Sequence, residues 1–70
     1  MIMKIDTEKL DFAICEKGMM LKDVAQASGL SENCFRNIRQ GKAEPRLRTI
    51  GKIASALGVN IKDIIKEGED

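Results

Sequence analysis

Residues 21–40, LKDVAQASGLSENCFRNIRQ, place the strongest constraint on the fold of this chain. Apolar residues recur here at helical spacing, with Val24 on the inner face of one helix and Phe35 and Ile38 on the inner face of the next. Gly29 stands between the two helices and tolerates the positive φ of a tight turn. The pattern therefore predicts two short helices joined by a turn.

The outer face of the second of these helices is polar, and its residue types favour a binding function. Amide, guanidinium and carboxylate groups on a short helix are the groups that read base edges in a DNA major groove. A merely solvated face usually carries Lys and Glu, whereas Asn33 and Asn37 are weak helix formers set one turn apart. We therefore predict sequence-specific DNA binding by this face, which consists of Glu32, Asn33, Arg36, Asn37 and Gln40.

Basic residues are concentrated in the middle of the sequence, although the net charge is only +1. Residues 36–52 contain six basic residues and one acidic residue, a net charge of +5, whereas residues 1–35 and residues 53–70 each sum to −2. Such a separation of charge produces one face that attracts phosphate. A solvated charged surface is the alternative, but the overlap of the basic segment with the helix pair favours a nucleic-acid partner.

The length and composition fit one small domain. The 70 residues, 43% of them hydrophobic, suffice for one core, and we predict a single domain over residues 1–70 with its core at about 6–66. Cys15 and Cys34 fall in predicted helices beside apolar residues, so we expect buried or half-buried free thiols in a reducing compartment. Because the chain lacks His and a Cys-x-x-Cys pair, we expect no metal site and no other cofactor.

The sequence indicates neither membrane insertion nor catalysis. Its apolar runs fall short of the ~20 residues that span a bilayer, and its first ten residues lack the apolar core of a signal peptide. We therefore expect a cytoplasmic protein without membrane contact. We do not expect an enzyme, because there is no His and no nucleophile with an evident base partner. Two aromatic residues also offer little for stacking on single-stranded bases.

Helical spacing along the whole chain predicts an all-α fold of five short helices. Asp6 is expected to cap the first helix, which should end near Gly18. The second helix is expected at about residues 21–28. Met20 stands where a hydroxyl cap would be usual, a loss on the order of 1 kcal/mol that burial of its side chain could offset.

The remaining three helices are bounded by capping residues and glycines. Ser31 is expected to cap the third helix, and Gly41 to end it. A fourth helix should end at Gly58, and close packing against another helix could explain Gly51 inside it. Asn60 is expected to cap a short fifth helix. The buried stripe predicted for the fourth helix consists of Leu47, Ile50, Ile53, Ala54 and Leu57.

Several spaced motifs together resemble the phage-repressor and Cro-type helix-turn-helix family, also called the xenobiotic-response-element type. The resemblance covers about residues 10–65 and places the helix-turn-helix at residues 21–40. It implies a compact five-helix, lambda-repressor-like domain that docks its third helix in the major groove, usually as a homodimer on a two-fold-related operator. The matching positions are Val24-Ala25, Gly29-Leu30-Ser31, Phe35, Ile38, Gly41-Lys42, Pro45, Leu47 and residues 53–59.

The resemblance also implies roles for individual residues. The base-reading positions of the family fall on Glu32, Asn33, Arg36 and Asn37. Asn suits the adenine edge, Arg suits guanine and Glu accepts from the cytosine amino group, although Glu32 could equally complement the helix dipole. Arg48 and Lys52 lie near in sequence and are expected to add electrostatic attraction. The family positions that contact the DNA backbone fall on Ser31, Gln40, Lys42 and Arg46.

This chain departs from the family pattern at three places. Relatives usually begin the second helix with a hydroxyl residue and a phosphate-contacting Gln, where this chain has Met20 and Leu21. Relatives often pair an Arg at position 14 with an acid at position 39, whereas this chain has Ile14 and Arg39. We therefore expect Arg39 to be available to the DNA backbone. Gly51 replaces what is commonly a larger residue.

Two classes of function follow from this pattern. The favoured one is a regulator of transcription that binds a double-stranded operator, in a prokaryotic or phage setting. A repressor is more consistent with this sequence than an activator, because a domain of this size acts most simply by covering a promoter. The alternative is a protein-interaction or antitoxin-like module of the same fold. Exposed Met20 and Leu21 would favour it, and its docking residues would be Ile61, Ile64 and Ile65.

A homodimer is the expected assembly. More apolar residues are present than a small core needs, and the surplus ones are candidates for the dimer interface, although scattered apolar residues on a surface are also common. The candidates are Met1, Ile2, Met3, Phe12 and Ile65.

Overall fold

The structure is a computed structural model that describes residues 4–66. It is all-α, as predicted, with four α-helices in these residues and one turn of 3-10 helix near the C-terminal end. The helices are α1 (Thr7–Lys17), α2 (Leu21–Ser28), α3 (Glu32–Arg39) and α4 (Leu47–Leu57), and the 3-10 turn is Ile61–Asp63.

The predicted fifth helix is wrong in kind, because residues 61–63 form only the 3-10 turn. The backbone N–H of Asn60 donates to Asp63 Oδ2 at 3.1 Å, but the Asn60 side chain makes no capping hydrogen bond, so only the reciprocal half of the expected capping pair is present. The chain cannot continue as a helix, since Ile65 forms an antiparallel bridge with Ile5. That pairing requires extended backbone directly after the turn.

Local capping signals set the helix boundaries as predicted. Asp6 Oδ1 accepts hydrogen bonds from the backbone N–H groups of Glu8 at 3.0 Å and Lys9 at 3.2 Å. The first helix ends at Gly18, which has a φ of 66° that only glycine adopts without strain. Ser31 Oγ accepts from the backbone N–H of Cys34 at 3.1 Å at the start of α3.

The start of α2 differs from the prediction. Met20 supplies no side-chain cap, and instead its backbone N–H donates to Asp23 Oδ2 at 3.3 Å. Burial of Met20 does not offset the missing cap, because the side chain is 62% exposed. The neighbouring Leu21 is 41% exposed, so two large apolar groups lie in solvent at this end of α2.

One hydrophobic core joins the helices and both ends of the described chain. Its largest fully buried side chains come from every helix and from the segment after the 3-10 turn. The bridge between Ile5 and Ile65 closes it, and hydrogen bonds from Asp6 N to Ile64 O and from Lys66 N to Lys4 O flank this bridge, each at 2.9 Å. The largest fully buried residues are Phe35, Leu10, Ile50, Ile53, Leu57, Ile64 and Val24.

Three burial predictions are wrong. Leu47 is 53% exposed because it lies in the first turn of α4, and the buried stripe of that helix begins only at Ile50. Ile65 is buried against the core and is therefore unavailable as an interface residue. Cys15 and Cys34 are free thiols, but both are exposed.

Gly51 has no steric explanation in the fold. A Cβ built at this position would lie 3.8 Å from Ile61 Cδ1, which is an ordinary van der Waals contact. Close packing against another element therefore does not require a glycine here.

In residues 4–66, no helix is both long enough and apolar enough to cross a membrane. The interface candidates Met1, Ile2 and Met3, and residues 67–70, lie outside the described residues.

Candidate nucleic-acid interface

The polar face of α3 is accessible to a partner. Phe35 and Ile38 anchor the helix in the core, and this fixes which side chains point outward. Asn37 is half-buried, so it is the most restricted of the predicted base-reading residues. The exposed positions along α3 and its caps are Ser31, Glu32, Asn33, Cys34, Arg36 and Gln40.

The turn between α2 and α3 holds the two helices in a fixed relation. Gly29 ends α2 with a φ of 75°, and the backbone N–H of Leu30 donates to Ala25 O at 2.9 Å. The two helices enclose a shallow depression where Leu21 and Lys22 face Glu32 and Arg36. An apolar side chain therefore lies directly beside two of the predicted base-reading groups.

Arg39 differs from the sequence prediction because it is already paired. Its Nε donates to Asp11 Oδ1 at 2.6 Å and its Nη2 donates to Asp11 Oδ2 at 3.4 Å, which makes a two-point contact between α3 and α1. The side chains of Arg39 and Asp11 are 29% and 46% exposed. The structure thus retains a link between these helices, with the acid on α1 and the Arg on α3. Sequence reasoning missed Asp11, which lies three residues before the buried Ile14.

The segment after α3 carries the remaining predicted contacts. The backbone N–H of Lys42 donates to Asn37 O at 2.9 Å, which ties the start of the loop to the helix, and Gly41 has a φ of 78°. The acid of this segment, Glu44, lies 3.6 Å from Lys4 Nζ in an exposed ion pair. Exposed basic or polar side chains extend from the end of α3 into α4 at Gln40, Lys42, Arg46, Arg48 and Lys52.

The described chain offers no arrangement suited to metal binding. Across residues 4–66, no group of three or more His, Cys, Asp or Glu side chains is placed to hold a metal ion. The α3 face itself presents amide, guanidinium and carboxylate groups.

A model of Cro/C1-type helix-turn-helix DNA-binding domains matches residues 9–67. The chain belongs to this family. Membership confirms the resemblance and the fold class predicted from the sequence, and it makes the exposed α3 face part of a Cro/C1-type DNA-binding domain.

Two known proteins are similar to this Cro/C1-type domain. The HTH-type transcriptional regulator DdrOP3 of Deinococcus deserti is 31% identical over 51 residues, which cover 73% of this chain and 40% of that protein. The chain thus spans less than half the length of this relative. The crystal structure of the restriction-modification controller protein C.AhdI from Aeromonas hydrophila matches with a TM-score of 0.77 and 24% identity, covering 81% of this chain and 86% of the other. The match to C.AhdI confirms the predicted fold, and the family model, together with the relative named as a transcriptional regulator, confirms the prediction of a Cro/C1-type DNA-binding domain.

Proposed function

We propose that this Cro/C1-type domain is a sequence-specific repressor that reads a double-stranded operator with α3 in the major groove. The observation that carries the proposal is the exposed polar face of α3, which continues into an exposed basic segment. A short helix held by two buried side chains and bearing hydrogen-bonding groups on its free side fits the width of that groove.

Base reading is assigned to four side chains of α3 by their chemistry. Asn33 and Asn37 can each make two hydrogen bonds to the N6 and N7 edge of adenine, and Arg36 can do the same with O6 and N7 of guanine. Glu32 can accept from the amino group of cytosine. Since Asn37 is half-buried, its amide has fewer accessible orientations than that of Asn33.

Contacts to the DNA backbone are assigned to the residues that flank α3. Such contacts fix the register and the affinity without reading sequence. Arg39 is the member of this set least available for a DNA contact, because its guanidinium is already paired with Asp11. The proposed set is Ser31, Gln40, Lys42, Arg46 and Arg48, with Arg39 contributing only when its ion pair opens.

Repression and dimerisation follow from how such a domain would act. A bound domain covers its site, and the relative DdrOP3 is named as a transcriptional regulator. Two copies on a two-fold-related operator would double the number of base contacts, and their α3 helices would lie about one DNA turn apart. We assign the protein to the cytoplasm of a prokaryotic host or its phage, where an operator is accessible.

A protein-interaction or antitoxin-like module is the second candidate. Exposed Met20 and Leu21 favour it, because they place apolar surface where a phosphate contact would be usual. The docking residues first suggested for it are less suitable, since Ile64 and Ile65 are buried and Ile61 is half-buried. DNA binding should weaken steeply with rising salt, whereas an apolar protein interface should not.

Selection of bound sequences from a random duplex pool tests the proposed function. We expect enrichment of a motif with dyad symmetry, and we expect the logarithm of the binding constant to fall linearly with the logarithm of the salt concentration. A pool that remains random after repeated selection at moderate salt would contradict sequence-specific binding. Retention of a partner protein at high salt would then support the second candidate.

Removal of the Asp11 carboxylate should release Arg39 to the DNA. In Asp11→Asn, we expect tighter binding to any duplex and a salt slope steeper by about 0.9, the value for one additional phosphate contact. The loss of this partly exposed ion pair should change the free energy of unfolding by less than about 1 kcal/mol. Fluorescence anisotropy at several salt concentrations measures the slope.

The matched control for this change is Glu8→Gln, which removes the same charge from an exposed position at the start of α1. Equal salt dependence of DNA binding in Asp11→Asn and Glu8→Gln would mean that Arg39 does not reach the DNA backbone even when it is unpaired.

A further inference from the structure

Phe12 is the most exposed large apolar side chain among residues 4–66. It lies on α1 and is 74% exposed, whereas the other aromatic residue, Phe35, is almost fully buried. A phenyl ring left in water forgoes one of the largest contributions that a side chain can make through burial. Its position therefore suits a contact with another macromolecule.

A depression adjoins Phe12 and offers a place for an aromatic ring. It has a volume of about 680 Å³ and lies between α1 and the segment that follows α4. Ala13 and Val59 supply apolar surface within it. The ring and the depression thus lie side by side on one face, so two copies of this face could each insert a Phe12 into the depression of the other.

The charged residues around the depression indicate which partner fits. Two are basic, Lys9 and Lys62, and two are acidic, Glu16 and Asp63. A strongly acidic or strongly basic partner would meet two unfavourable charges on such a rim. A second copy turned by a two-fold rotation can instead bring each base toward an acid, because an isologous interface must be complementary to itself.

This face and the polar surface of α3 consist of different residues. Asp11 points toward α3, where it pairs with Arg39. Successive residues on a helix diverge by about 100°, so Phe12 points to the side of that direction rather than opposite to it. The face formed by α1 and residues 59–63 contains no residue of α3, so a copy docked there leaves the polar surface of α3 available to a duplex.

We propose that the face formed by Phe12, its adjoining depression and the four charged residues around it is the contact surface for a second copy of this chain. The inference rests on the homodimer of the proposed function and assigns it a surface. Each Phe12 ring fills the depression of the partner copy, and the Lys and acidic residues at the rim pair across the two-fold axis.

Sedimentation equilibrium of the whole chain tests the role of the ring. We expect Phe12→Ser to raise the dimer dissociation constant by about 30-fold or more, as for a residue at the centre of an interface. Leu47→Ser is the matched control, because Leu47 is also exposed and apolar but does not line the depression. Circular dichroism should show unchanged helicity in both variants, since neither side chain belongs to the core.

A charge exchange tests the two-fold pairing. The variant Lys9→Glu/Lys62→Glu has an acidic rim around the depression, and the variant Glu16→Lys has a mostly basic rim. Asp63 is left unchanged in both, because it accepts the hydrogen bond from Asn60 N. We expect each variant alone to be monomeric and a mixture of the two to form a one-to-one dimer.

Three outcomes would overturn the proposed surface. These are a wild-type chain that stays monomeric at high concentration, a Phe12→Ser variant that dimerises like the wild type, and a charge-exchanged mixture that does not associate. Operator selection distinguishes this failure from failure of the proposed function, because a monomer that still enriches one half-site leaves sequence-specific DNA binding intact.

Discussion

Asn33→Ala is expected to weaken binding to the selected operator by roughly 1–3 kcal/mol, the worth of one bidentate contact to a base. Binding to a random duplex should stay nearly unchanged, because the amide is uncharged and non-specific affinity comes from phosphate contacts. Fluorescence anisotropy on the two duplexes gives both values. Asn60→Ala is the matched control, since Asn60 is also exposed and its side chain makes no capping hydrogen bond.

A modified base sharpens this test. Replacing the contacted adenine by 7-deazaadenine removes the N7 acceptor. The resulting loss of binding free energy should equal part of the loss caused by Asn33→Ala. The two changes together should cost less than their sum, because they remove the same contact. Additive losses, or equal losses on operator and random duplex, would contradict base reading by Asn33.

Phe35→Ala is expected to have the largest effect on stability, about 3–5 kcal/mol. The ring is 1% exposed and belongs to the core that also holds α3 in place. Small domains have a total stability that begins at about 5 kcal/mol, so this variant should be partly unfolded without denaturant. Urea unfolding followed by circular dichroism measures the free energy, and DNA affinity should fall in proportion to the folded fraction.

The chain provides its own control for Phe35→Ala. Phe12→Ala removes the same ring from an exposed position, and at protein concentrations low enough to keep the chain monomeric it should change the free energy of unfolding by less than about 0.5 kcal/mol. Similar destabilisation by the two substitutions would mean that burial of Phe35 does not determine the stability of the domain.

Features that depend on neighbours in sequence were predictable. Asp6, Gly18 and Ser31 act within four residues of their own positions, so the sequence alone contains the capping arrangement that the structure shows. The inner faces of the helices were predictable for a similar reason. Helical periodicity identified Phe35 and Ile38 as anchors of α3, and both are buried.

Features that depend on distant parts of the chain were not predictable in the same way. The pairing of Arg39 with Asp11 joins residues 28 positions apart, and no local pattern reveals it. Ile65 looked like a surplus apolar residue because its partner, Ile5, lies at the other end of the domain. Leu47 fits the helical stripe of α4, but the fold leaves its side chain 53% exposed, whereas Ile50 three residues later is fully buried. The base-reading roles on α3 stay predictions, since they require a duplex.

The bridge between Ile5 and Ile65 has a consequence for the connectivity of the domain. Lys4 and Lys66 are hydrogen-bonded to each other, so the two ends of the described chain leave the fold at the same place. A linker of a few residues could join them and allow the backbone to be opened elsewhere, for example beside Gly18, with every helix preserved. The fold therefore does not depend on the order in which the helices follow one another along the chain, and we expect a circular permutant to reach the same fold.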